Sequence, residues 1–242
     1  MDKETIAAIK QVVKETNYVV FLGGAGVSTA SGIPDFRSPQ GLYNVKSKYG
    51  VPYEEMLSHE YFYAHPDKFY DFYWESMVNK EAKPNKAHEA LAKFERNGHH
   101  VVIITQNIDG LHQDAGSKTV LEAHGSTKRY FCPSCGRKYA LSDIEPKGVP
   151  HCSCGSIIKP DVVLYGEPLD QEVLEMAIAS TIHSSLLIIG GTSLNVYPIA
   201  SLPSYFIGGK KIIINKEPTS FDKECDYVIH EDIGEVLTKI LE

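Results

Sequence analysis

Cys132-Pro133-Ser134-Cys135 and Cys152-Ser153-Cys154 place four thiols in two tight pairs, sixteen residues apart, with Gly136 and Gly155 directly behind them. Thiolates at such spacing form knuckles that close a tetrahedral zinc site, and four of them leave no open position for water or substrate. The expected role is structural, since four thiolates contribute on the order of 10 kcal/mol to folding a module with little core of its own. The second pair is one residue tighter than C-x-x-C and His151 adjoins it, so His151 could stand in for Cys152. The fifth cysteine, Cys225, reads as a small core residue. Clustered metal-binding thiols need a reducing compartment, which points to the cytoplasm.

A second chemistry lies in residues 23–38, GGAGVSTASGIPDFRS, which follow an apolar run at 18–22 (YVVFL). Gly24 and Gly26 let the backbone turn tightly around Ala25, and Ser28 and Thr29 bring hydroxyls beside exposed N–H groups at what reads as a helix start. A pyrophosphate could lie there, although glycines at such a turn also serve packing alone. Asp35, Phe36 and Arg37, set side by side behind Gly32-Ile33-Pro34, are more than a structural turn requires. Two further apolar runs end in polar clusters: 101–104 leads to Gln106, Asn107 and Asp109, and 186–189 leads to Gly191, Thr192 and Ser193. In open α/β sheets ligands bind at the carboxyl ends of the strands, where these clusters fall, although the first could simply cap the next helix. His124, before Gly125, could be a satisfied loop imidazole or a base, and its neighbours must decide.

These side chains need a scaffold. Residues 2–16 carry Ile6, Ile9, Val12 and Val13 on one helical face, and Phe69, Phe72, Tyr73 and Met77 form an aromatic stripe behind Pro66. A helix opening at 84–85 is expected to stop at Gly98. Strand composition returns at 161–165 (DVVLY) and continues at 210–214 and 227–229, with helices at 170–182 and 233–241. Nearly all-apolar strands alternating with helices predict an α/β architecture: a Rossmann-like parallel sheet covered by helices on both faces. The sheet domain is expected to be discontinuous, comprising 1–35, 84–125 and 161–242, interrupted by a helical insert and cofactor loop at 36–83 and a zinc-binding module at 126–160. A 242-residue chain can bury about three-quarters of its unfolded surface. No run reaches membrane length, and the formal net charge of −7 disfavours direct binding to nucleic acid while suiting lysine-rich partners.

GAGVSTASGIPDFR resembles, at every fixed position, the signature G-A-G-x-S-x-x-S-G-I-P-D-F-R of the sirtuins, NAD-dependent protein lysine deacylases. Further similarity runs through T-Q-N-I-D at 105–109, H-G at 124–125, the four cysteines, K-P-D-V-V-L-Y-G-E at 159–167, G-T-S at 191–193 and N-K-E at 215–217. The resemblance implies a zinc ion held by Cys132, Cys135, Cys152 and Cys154, and NAD as cosubstrate in a cleft between the large and small domains. It implies NAD contacts at Gly24, Ala25, Gly26, Ser28, Thr29, Asp35, Phe36, Arg37, Gln106, Asn107, Ile108, Asp109, Gly191, Thr192, Ser193, Asn215 and Ile233. His124 would be the general base, with Asn107 also catalytic. An acetyl-lysine protein or peptide would pair with a strand at Val162, Val163 and Leu164 and with Val196, and a monomer would suffice.

The implied reaction moves the acetyl group to ADP-ribose, releasing nicotinamide and O-acetyl-ADP-ribose, with an unperturbed imidazole of pKa about 6.5 as base. Sirtuins that take acidic acyl groups carry Tyr-x-x-Arg, whereas Tyr70 and Tyr73 stand where that motif is expected here, so acetyl is the expected group. Gly23, Lys159 and Tyr165 depart from commoner family residues without removing a reactive group. Mono-ADP-ribosyl transfer or longer-chain deacylation on the same scaffold are the alternatives. An ordinary NAD dehydrogenase is disfavoured, because Thr29 replaces its third glycine and 44–48 lacks its acid.

Overall fold

A computed structural model describes residues 2–35 and 50–241. In chain order its elements are α1 (Lys3–Glu15), β1 (Tyr18–Gly23), α2 (Tyr53–Met56), α3 (His59–Ala64), α4 (Pro66–Ser76), α5 (Lys86–Arg96), β2 (His100–Thr105), α6 (Leu111–Asp114) and β3 (Val120–Glu122). There follow β4 (Gly125–Phe131), β5 (Lys138–Ala140), β6 (Lys159–Val162), α7 (Gln171–His183), β7 (Leu186–Gly190), β8 (Lys210–Ile214), β9 (Tyr227–Ile229) and α8 (Ile233–Leu241).

Among the described residues, six strands form one sheet in the order β3-β2-β1-β7-β8-β9, every pair parallel. Strand residues alternate between two apolar clusters because successive side chains leave a strand on opposite faces. Val19, Phe21, Val101, Ile103, Leu186 and Ile188 pack with α1, α5 and α8. Val20, Leu22, Val102, Ile104, Leu187 and Ile189 pack with α7 and residues 199–206. Helices thus cover both faces, as the all-apolar runs require. The strand order reverses between β1 and β7, and in such sheets the crevice at the reversal is where a ligand lies.

A second sheet, β5-β4-β6, is antiparallel. The run expected as a strand at 161–165 instead begins at Lys159, ends at Val162 and joins this sheet, pairing with β4. Its partner is β4, against which Lys159, Pro160 and Val162 pair antiparallel. The helical insert and the cysteine module share one core: Phe62, Phe69, Tyr70, Phe72 and Tyr73 from α3 and α4 pack with Tyr130, Cys132, Cys152 and Ile158. Behind β1 the expected helix start is two short 3-10 turns, Ala25–Val27 and Thr29–Ser31, stopped by Gly32 at φ 81. Among the described residues no helix is long and apolar enough to cross a membrane.

Candidate functional site

Three loops meet at the carboxyl ends of β1, β2 and β7. The glycines behind β1 are required by this meeting. A Cβ on Gly24 would lie 2.7 Å from the Thr192 Cβ, and one on Gly26 would lie 2.8 Å from the Gly191 Cα. The Gly26 N–H donates to the Gly191 carbonyl at 2.8 Å, so the two loops touch backbone to backbone. These glycines therefore serve close loop packing, which in turn sets the position of the hydroxyls beside them.

Side chains then tie the three loops together. Ser28, with 1% exposure, donates from Oγ to Asp109 Oδ2 at 2.7 Å and accepts from Asn107 Nδ2 at 3.0 Å. Gln106 donates from Nε2 to Thr192 Oγ1 at 2.9 Å, and its N–H donates to the Gly23 carbonyl at 3.0 Å. Asp109 Oδ1 accepts from the Leu111 N–H at 2.9 Å, which caps α6 as well as shaping the site. The Ile108 carbonyl accepts from the N–H and hydroxyl of Thr127 and so joins the cluster to β4. Ala25 is half-buried, as is Asp35, while Thr29 and Ser193 are exposed at the rim. Phe36 and Arg37 lie outside the described residues.

His124 stands half-buried where the chain passes from the large sheet to the small one. Its Nδ1 is 3.0 Å from the Gln106 carbonyl, which can only accept, so Nδ1 carries the proton and Nε2 keeps its lone pair. The imidazole is not unperturbed as expected: burial lowers its pKa below the ordinary 6.5, and the bond to Gln106 only partly opposes this. The ring is thereby kept neutral and basic at its free nitrogen. Gly125 is also fixed by packing, with φ 78 and the place of a Cβ only 1.9 Å from the Asp161 carbonyl oxygen. That contact lets the Val163 N–H reach the His124 carbonyl at 3.0 Å.

Other expected residues are distributed less evenly. Val162 ends β6 and Val163 is half-buried beside His124, but Leu164 turns into the small core at 2% exposure. Val196 is half-buried in the loop between Leu194 and the cis Tyr197–Pro198 peptide. Asn215 follows β8 and donates from Nδ2 to the Glu217 carbonyl at 2.6 Å. Ile233 belongs to the large core; its Cδ1 occupies the space over Gly190, 2.3 Å from where a Cβ would be. Tyr70 and Tyr73 are fully buried, the first hydrogen-bonded to the Ile158 carbonyl and the second to the Tyr130 hydroxyl. This pair belongs to the core that the helical insert shares with the cysteine module.

The four cysteine sulfurs lie within 4.8 Å of one another, with Cys132–Cys154 at 3.5 Å and Cys135–Cys152 at 3.6 Å. Zinc–sulfur bonds of about 2.3 Å in a tetrahedron separate sulfurs by about 3.8 Å, so the cluster fits that ion. His151 does not replace Cys152: it is exposed and its Nδ1 faces the Val149 carbonyl at 2.9 Å. The sequence reading also missed Thr105, whose hydroxyl accepts from the Asn107 N–H, and the buried pair His88 and His112, with ring centroids 4.7 Å apart. Apolar spacing concealed the histidines, since His88 sits on the buried face of α5 like any core residue.

A Rossmann-type strand order with amide, hydroxyl and carboxylate groups at its reversal, joined to a four-thiolate module, defines a nucleotide-using α/β protein with a structural metal site. Residues 24–198 match the Sir2 family, and the chain belongs to that family. A protein of Clostridium acetobutylicum named NAD-dependent protein deacetylase is 49% identical over 241 residues, covering 98% of each chain. One of the same name from Clostridium perfringens is 50% identical, covering 99% of each. A solved Sir2 structure, a histidine-to-alanine variant with deacetylated p53 peptide and 3′-O-acetyl ADP-ribose, superposes with TM-score 0.88 at 39% identity, covering 98% of this chain and 97% of that one.

Proposed function

We propose that this chain is an NAD-dependent protein lysine deacetylase in which His124 is the base and the three joined loops hold the cosubstrate. NAD would supply the ribosyl carbon from which nicotinamide leaves and the ribose hydroxyl that receives the acetyl group, so that acetyl-lysine, NAD and water give lysine, nicotinamide and O-acetyl-ADP-ribose. The backbone turn at 24–26 and the hydroxyls of Thr29, Thr192 and Ser193 suit phosphates, and Gln106, Asn107 and Asp109 suit ribose hydroxyls and a carboxamide. Ser28 orients Asn107 and Asp109 by bonding both. His124 Nε2 takes the proton of a ribose hydroxyl, while the Gln106 carbonyl fixes the tautomer through Nδ1. The observation that carries this reading is that the carbonyl holding His124 belongs to the same residue whose side chain bonds Thr192 and whose N–H bonds Gly23.

Val163 and Val196 are read as backbone partners of an extended acetyl-lysine peptide, with Val162 and Leu164 setting the course of the segment. On this reading 1–35, 84–125 and 161–242 form the cosubstrate-binding domain, with 36–83 as insert and 126–160 as metal module. The protein would act as a cytoplasmic monomer without direct nucleic-acid or membrane binding; the thiolate cluster supports the reducing compartment and the net charge of −7 the first exclusion. Incubation with NAD and acetyl-lysine peptide, read by mass spectrometry, tests it. Loss of acetyl mass from the peptide with one O-acetyl-ADP-ribose per turnover is expected. ADP-ribose mass gained on protein, or nicotinamide release indifferent to the peptide, would overturn it.

A further inference from the structure

Lys159 is the buried charge that the proposed chemistry leaves unused. Its side chain is 6% exposed, and its Nζ reaches the Val162 carbonyl at 2.9 Å, the Pro160 carbonyl at 3.3 Å and Glu167 Oε2 at 2.9 Å. Glu167, 16% exposed, also accepts the Leu164 N–H on Oε2 at 2.9 Å, and its Oε1 takes His59 Nδ1 at 2.8 Å. Burial opposes the Glu167 charge, but the bonds from His59, Leu164 and Lys159 outweigh it and hold the carboxyl below its ordinary value. Three pieces of chain thus converge on one carboxylate: the start of β6, the loop behind that strand and the first turn of α3.

A buried ion pair is poor value as a stabiliser, because apolar residues of similar size commonly do as well once desolvation is counted. Its geometry is what distinguishes it. Lys159 grips the carbonyls before residue 163 and the carboxylate after residue 166, so the segment between them is held at both ends. Inside that span Val163 N–H bonds the His124 carbonyl, Tyr165 N–H bonds the Leu57 carbonyl and the Tyr165 carbonyl accepts the His59 N–H. The span is also the one assigned to pairing with the substrate.

We propose that Lys159, Glu167 and His59 are positioning residues that hold residues 163–165 extended beside His124, so that the acetyl-lysine peptide meets a preformed edge. This rests on the deacetylase reading for its substrate, while the clamp itself is a property of the fold. Preorganisation of a binding edge acts on affinity for the group that pairs with it and leaves the distant cosubstrate loops alone.

The test uses full-length enzyme carrying Lys159→Met, Glu167→Ala, His59→Leu or His59→Asn, whose amide nitrogen can replace Nδ1. Peptide KM should rise about tenfold for the first two and about fourfold for His59→Leu, with kcat and the KM for NAD within about twofold of wild type. His59→Asn should restore peptide KM. The double variant Lys159→Met/Glu167→Leu, which removes both charges together, should keep its thermal midpoint, separating positioning from stability. Amide exchange at Leu164 and Tyr165 should quicken in Glu167→Ala, whatever the activity. Unchanged peptide KM, an equal rise in the KM for NAD, an unrescued His59→Asn or unchanged exchange would each overturn the clamp. A wild type inert toward acetyl-lysine peptide would sink the deacetylase reading instead, with exchange still deciding whether the clamp exists.

Discussion

Around the six-stranded sheet, aliphatic side chains from α1, α5 and α8 close one face and those of α7 the other, whereas the three-stranded sheet is closed by rings and sulfur. Ile9, Phe21, Leu187 and Ile188 have no exposure and belong to apolar clusters on the two faces, so burial can hold the large sheet. The small strands run to only seven, three and four residues, and beyond the ring stack of α3 and α4 they depend on four thiols standing ready for a metal. One part is self-sufficient and the other is stapled, and His124 stands at the seam. A site there can draw rigidity from both without belonging wholly to either.

Removing the metal should break this contrast most severely. With a chelator, or in Cys135→Ser, the small sheet should lose on the order of 10 kcal/mol. Near-ultraviolet circular dichroism from Tyr70, Trp74 and Tyr130 should then collapse while the far-ultraviolet signal of the large sheet persists. Simultaneous loss of both signals would show one cooperative core. His124→Ala should cut deacetylation by about 10²- to 10⁴-fold with unchanged melting and intact NAD binding by calorimetry. Full turnover in that variant would leave the seam without a catalytic role.

The buried pair His88 and His112 probes the large sheet's side alone. Burial pushes their pKa values down to about 4 and about 3, so the folded chain keeps both rings neutral. Between those values and 6.5 the unfolded chain binds protons that the folded chain does not. Stability is therefore full above pH 6.5 and should fall by on the order of 3 kcal/mol for each ring as pH drops toward 4, measured by urea unfolding. A flat profile would mean the rings are not sealed. Next in size, Gly191→Ala forces a Cβ to 2.5 Å from the Val27 N at φ 58 and should cost about 1–3 kcal/mol, weakening NAD binding by titration calorimetry. Unchanged affinity would show that the glycine loops need not touch. The smallest effect concerns His124, whose lowered pKa should move the acid limb of kcat/KM below pH 6.5; a limb at or above that value would show that burial does not govern the ring.

Much of the scaffold was legible because short apolar runs rich in β-branched residues and bounded by glycine and polar residues suit strands buried on both faces. The runs at 18–22 and 101–104 each grew by a residue or two into β1 and β2, and residues 120–122 joined them as an edge strand. The cysteine pairs were equally plain, since sulfur spacing carries its own geometry. Less could be read at 161–165, where composition announced a strand but not its sheet. That Tyr70 and Tyr73 meet Tyr130 and Ile158 could not be read, because helical spacing tells which residues share a face, not what that face meets.

The sequence by itself determined the element types, the thiol cluster and the polar residues that end the strands, because each follows from local chemistry repeated along the chain. Only the tertiary structure decided that Gly24 and Gly26 face Gly191 and Thr192, that the Gln106 carbonyl fixes the tautomer of His124, and that Lys159 and Glu167 meet His59. Those facts depend on contacts between residues far apart in the chain, and their geometry is set by how two unlike cores pack against each other.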